Sequence, residues 1–108
     1  MRRGDIVTVA GGVYASKPRP ALVVQDDRFD ATDSLTVCPL TTTDVEAPLL
    51  RVAVPANAET GLSQDSYVMV DKITTVRRSN AHAVLGRLDG TTLVAFERRL
   101  LVFLGFGA

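Results

Sequence analysis

At 108 residues the chain has room for one domain with a modest core, spanning 1–108, and too little for two. Apolar residues make up 46% and charged residues 22%, which excludes a disordered or fibrous chain. Twelve Lys and Arg balance twelve Asp and Glu, and this neutral total argues against a coat that binds nucleic acid non-specifically. The charge is uneven, however. Residues 1–20 carry Arg2, Arg3, Lys17 and Arg19 against Asp5 alone, whereas residues 25–34 carry Asp26, Asp27, Asp30 and Asp33 against Arg28. A small basic site therefore remains open. The single cysteine, Cys38, excludes an intrachain disulfide and fits a reducing compartment. No apolar run approaches the roughly 20 residues that a membrane span needs, so a small cytoplasmic protein is expected.

Strand-like runs follow one another at short spacing, each bounded by turn residues. Asp5 to Val9 ends at Gly11-Gly12, and Ala21 to Gln25 leads into the acidic segment Asp26 to Asp33. Leu35 to Leu40 runs into three threonines, Thr41, Thr42 and Thr43. Leu49 to Val54 alternates cleanly, and Pro55 opens a long loop to Asp65. Ser66 to Val76 is the longest β-rich stretch, with a change of phase at Asp71-Lys72 that predicts a bulge or bend. A short strand from Ala83 to Leu88 follows. From Thr91 the period changes: Leu93, Phe96, Leu100 and Leu104 recur at three- and four-residue steps, with Glu97, Arg98 and Arg99 on the other face. Asp89 or Thr91 would cap this helix and Gly105 would end it. The pattern predicts a mostly β (α+β) fold, an SH3-like small antiparallel β-barrel with a C-terminal amphipathic helix.

The chemistry narrows quickly. His82 and Cys38 lie far apart without ligand-like partners, so neither a metal nor a cofactor is expected. Cys38, beside Val37 and Leu40, reads as a small buried hydrophobe. Gly11-Gly12 lacks the Lys-Ser/Thr tail of a phosphate-cradling loop. What remains is arginine plus hydroxyls. In Lys17-Pro18-Arg19-Pro20 the prolines fix their own φ and hold the residues before them extended, so Arg19 gives up little backbone freedom on meeting a phosphate. Thr41, Thr42 and Thr43 offer hydroxyls and free backbone N–H groups at a strand end. Both features also have bland readings, as a surface polyproline turn and as local strand-end turns.

Four motifs in order give the chain a wider likeness. Arg3-Gly4-Asp5-Ile6-Val7, Arg19-Pro20-Ala21-Leu22-Val23-Val24, Val37-Cys38-Pro39-Leu40-Thr41 and Ser66 to Val76, with Leu85-Gly86-Arg87-Leu88 and the closing helix, resemble the MazF/PemK (Kid) family of toxin ribonucleases over nearly the whole length. The resemblance implies a metal-independent endoribonuclease that cuts single-stranded RNA at short sequences, through attack of the ribose 2′-hydroxyl on the adjacent phosphate. It also implies a homodimer and a cognate antitoxin whose acidic, flexible tail covers the RNA groove. Carried over by position, Arg19 and Thr41 are the catalytic candidates. Arg19 would stabilise the phosphorane charge and donate a proton to the leaving oxygen, and Thr41 would position the phosphate or the nucleophile. Candidate RNA contacts are Tyr14, Lys17, Thr42, Thr43, Asp71, Lys72 and Arg77. Tyr14 would stack on a base or pack at the hairpin tip, Asp71 and Lys72 would read base edges or form a solvated pair, and Arg77 would meet a phosphate or end a strand in solvent. The chain departs from the family before Arg-Pro: Gly11 to Ser16 is short and lacks the family's Glu-Gln-like element. Two other classes fit the same fold, a gyrase-poisoning toxin like CcdB, whose tryptophan this chain lacks, and an inactive interaction barrel.

Overall fold

Proline 18 and proline 20 do not interrupt a strand here; they sit inside one. In the computed structural model, which describes residues 1–11 and 15–106, β1 (Asp5–Gly11) and β2 (Ala15–Val23) form an antiparallel hairpin. The pairing runs from Ile6↔Leu22 through Thr8↔Pro20 to Gly11↔Ala15. β2 thus starts six residues before the expected Ala21 and stops at Val23, short of Gln25. The first half of β2 tolerates proline because it has a ladder on one side only: pairing with β3 (Ser34–Thr41) begins at Ala21↔Pro39. Gln25 leaves the sheet to organise the acidic segment instead, donating to Phe29 O at 2.7 Å and Thr32 Oγ1 at 2.8 Å.

β3 is the spine of the sheet. One edge pairs with β2, and the other is shared by two strands in succession. β5 (Ser66–Met69) pairs at Leu40↔Val68 and Thr41↔Tyr67, while β6 (Thr74–Arg77) pairs from Val37↔Thr74 to Ser34↔Arg77. Between them lies the 3₁₀ turn Val70–Lys72, where the alternation changes phase. β4 (Arg51–Val54) extends the sheet beyond β5, and β7 (Ala81–Arg87) extends it beyond β1. The result is a curled antiparallel half-barrel whose strands are apolar on both faces. Ile6, Leu22, Cys38, Leu40, Val52, Val54, Val68 and Val70 fill one side, and Val7, Val9, Ala21, Val23, Leu35, Val37 and Val76 fill the other.

Helix α1 (Gly90–Leu104) closes the first side. Asp89 accepts the Thr92 N–H at 2.6 Å, and Gly105 ends the helix with a left-handed φ of 84°. Phe96 is fully buried in the core, flanked by Leu93 and Leu100. The expected face is corrected in two places. Leu104 is 45% exposed and does not join the core that Phe96 enters. Glu97 does not point away from the sheet but meets Arg3 at 2.6 Å, tying the helix to the N-terminal segment. Leu101, Val102, Leu104 and Phe106 leave an apolar helix end in the open. No helix among the described residues is long and apolar enough to cross a membrane.

Candidate active site

The register of the sheet decides what Arg19 faces. Side chains alternate, so Arg19 shares the face of Ala21 and Val23 on β2, and Thr41 shares the face of Pro39 and Val37 on β3. Ala21↔Pro39 is the last pair between the two strands, and Arg19 and Thr41 each lie two residues beyond it on that same face. Both side chains line one open groove of about 600 Å³ between β2, the end of β3 and β6. The groove is cationic. Its charged lining residues among those described are Arg19, Lys72 and Arg77, with no carboxylate, in a chain whose total charge is zero. None of the three forms an ion pair with a described residue, whereas Arg3, Arg51 and Arg87 are each held by an acid. Three unspent cations in a concave, partly apolar wall attract an anion.

Hydroxyls complete the lining. Thr41 Oγ1 accepts the Thr43 N–H at 3.1 Å in a local turn, which satisfies one lone pair and leaves the Thr41 O–H available as a donor. Thr74 and Thr75 line the β6 wall, where Thr75 Oγ1 lies 3.3 Å from Thr36 Oγ1 across the ladder. The arrangement offers a two-point cationic donor, a hydroxyl donor opposite it and further positive charge along the wall. It suits an oxyanion such as a phosphodiester.

The other candidate residues scatter. Lys72 and Arg77 lie in the groove with Arg19 and Thr41, but Thr42 and Thr43 are exposed beyond the end of β3 and do not line it. Lys17 is exposed on β2, two residues before Arg19, outside the lining. Asp71 does not line the groove and pairs with Arg51 at 2.6 Å rather than with Lys72. Tyr14 lies outside the described residues. Met69, Thr74, Thr75 and Asn80 line the groove without having been singled out in the sequence, because β6 becomes a wall only after the chain turns at Val70–Lys72 and folds back along β3. Cys38 is sealed in the core: burial, reinforced by the negative charge of Asp71, pushes its thiol up to about 12, so it is inert. His82 is exposed on β7, away from the groove.

A curled half-barrel with one closing helix and a carboxylate-free basic cleft defines a small β protein built around an anion-attracting groove. The chain belongs to the PemK-like, MazF-like toxins of type II toxin–antitoxin systems, whose family model matches residues 2–104. It is 57% identical over 106 residues to a probable endoribonuclease MazF of Mycolicibacterium smegmatis, covering 97% of both chains. It is 30% identical to the endoribonuclease MazF9 of Mycobacterium tuberculosis, covering 96% of each. Among solved structures, a mycobacterial endoribonuclease in complex with its cognate antitoxin superimposes with a TM-score of 0.80 at 25% identity, over 97% of this chain and 95% of that one.

Proposed function

We propose that this chain is a sequence-specific endoribonuclease toxin that cleaves single-stranded RNA without a metal ion and is neutralised in the cytoplasm by a cognate antitoxin. The observation that carries the reading is the groove itself: Arg19 and Thr41 line it together, with two further cations, Lys72 and Arg77, and no acid among the described residues. The endoribonucleases among its relatives support the same reading.

The substrate supplies its own nucleophile. The ribose 2′-oxygen attacks the neighbouring phosphorus, the bond to the 5′-oxygen breaks, and the products end in a 2′,3′-cyclic phosphate and a 5′-hydroxyl. The protein must therefore position the strand and stabilise charge, which accounts for so sparse a site. Two Arg19 N–H groups meet the non-bridging oxygens as the phosphorane gathers charge, and the Thr41 hydroxyl fixes the phosphate on the opposite side. An antitoxin segment rich in Asp and Glu fits the same cations. The exposed apolar end of α1 supports action as a homodimer, since an isolated chain this small seldom leaves such a patch uncovered.

Incubation with a long single-stranded RNA in EDTA tests the reading. Cleavage at a few sites with the two product ends named above is expected. Arg19→Ala is expected to lower the rate by about 10²-fold or more, the scale of losing a transition-state charge donor, with an unchanged circular dichroism spectrum. Intact RNA would sink the proposal, and intact RNA together with gyrase inhibition would point instead to a CcdB-like poison.

A further inference from the structure

Building on the nuclease reading, we propose that Tyr67 is a stacking platform for the base next to the scissile phosphate. The register places it there. Thr41 pairs Tyr67 across β3 and β5, and Tyr67 pairs Ala53 across β5 and β4, so the three side chains stand in one row on one face of the sheet. Directly opposed residues have their Cβ atoms about 4.5–5.5 Å apart. A tyrosine ring one strand from Thr41 therefore lies within reach of a nucleoside joined to a phosphate that the Thr41 hydroxyl holds. Both cross-strand neighbours are small, and Ala53 is itself exposed, so neither covers the half-buried ring.

Tyr67 also marks the place where the cationic groove meets a second cleft. Thr41 and Met69 line the groove, whereas Tyr67, Ala53 and Arg51 line a cleft of about 660 Å³ on the same face. Met69 pairs Arg51 just as Thr41 pairs Tyr67, so the two hollows adjoin across β5. Their chemistry differs. Arg51 is held by Asp71 and Leu50 O, Arg99 donates to Pro48 O at 2.9 Å, and Asp44 and Glu46 bring negative charge to the wall. A cleft with its arginines engaged and two carboxylates of its own offers a phosphate little. It suits a base, whose neutral face stacks on an aromatic ring. The phosphates of a bound strand would follow the groove while one base turned across β5 onto Tyr67.

The test uses an uncleavable RNA built around a mapped cut site, with 2′-deoxyribose at the attacking position, and two copies of it that lack the base on one or the other side of the cut. In fluorescence anisotropy Tyr67→Val is expected to weaken binding of the intact strand about 5- to 150-fold, the range for one stacked base, while Tyr67→Phe stays within about twofold of the parent. On one of the two abasic strands the parent is expected to lose a similar factor, and Tyr67→Val to add little to that loss, the non-additivity of two groups in contact. The parent's own loss needs no variant, so it stands even where Tyr67→Val folds poorly. Full-strength binding by Tyr67→Val, an equal Tyr67→Val defect on all three strands, or no loss by the parent on either abasic strand would overturn this role and leave the nuclease reading standing. A parent chain that cuts no RNA, and so yields no site to map, would overturn both.

Discussion

Arg19 and Arg51 show how little a residue's identity says about its task. Each is an arginine on a β-strand. Arg51 is spent on Asp71 and on Leu50 O, while Arg19 has no acidic partner among the described residues and faces the groove. The sequence announced Arg19 through its flanking prolines, which restrict the backbone locally. It gave no sign of the Arg51–Asp71 pair, which depends on β4 and the 3₁₀ turn meeting across twenty residues of chain. Asp71 and Lys72 are adjacent in sequence and separated in use for the same reason: a turn sends neighbouring side chains in different directions. Cys38 was readable from its apolar neighbours, and its burial has a measurable consequence. The folded chain is expected to resist iodoacetamide at pH 8, since the reactive thiolate forms only around pH 12, and to label rapidly once unfolded in urea. Labelling of the native chain at the rate of a free thiol would contradict this packing.

At the scale of elements, apolar alternation located the strands well, and three- to four-residue periodicity located the helix. The boundaries that failed are instructive. β2 reaches back to Ala15 because its open edge accepts proline, a condition set by where β3 stops pairing. The stretch from Pro55 to Asp65 reads as a free loop, yet it is docked on β7, with the Arg87 N–H bonded to Glu59 O at 2.9 Å. A Cβ on Gly86 would overlap the backbone of Glu59 and Thr60, and one on Gly61 would overlap Leu85 O. Gly86→Ala is therefore expected to cost about 1–3 kcal/mol in urea denaturation, as overpacking does, and an unchanged midpoint would show that the loop yields freely. The helix cap carries its own pH signature. The Thr92 backbone N–H holds the Asp89 carboxyl below the ordinary aspartate value. A carboxylate lowered in the folded state contributes stability above its unfolded pKa and loses it as pH falls through the folded value. The Tm difference between the parent and Asp89→Ala should accordingly be present at neutral pH and shrink below about pH 4. A difference independent of pH would mean that the charge plays no part in the cap.

For the whole molecule, a total charge of zero concealed a segregated distribution. The acids gather in the segment after β2, where Asp26 and Asp27 meet Arg28 and Arg2, and the groove keeps its cations to itself. Composition alone could exclude a general nucleic-acid coat, but it could not show a local site, because that site is made by folding β6 against β3. Binding of an uncleavable strand, with 2′-deoxyribose at the cut site, should weaken with salt. Each phosphate contact on a single strand contributes about −0.7 to the slope of log affinity against log salt, so three cations set a slope of about −2. Arg19→Ala should flatten it by about 0.7 in fluorescence anisotropy. A salt-independent affinity would show that the cations do not contact the backbone.

Arg19 is mounted on a paired strand, with proline on either side and no acid among the described residues drawn against it. Such a side chain needs no rearrangement to meet an anion, so the groove is ready for one from the moment the chain folds. In a member of a toxin–antitoxin family, restraint then falls to a partner protein.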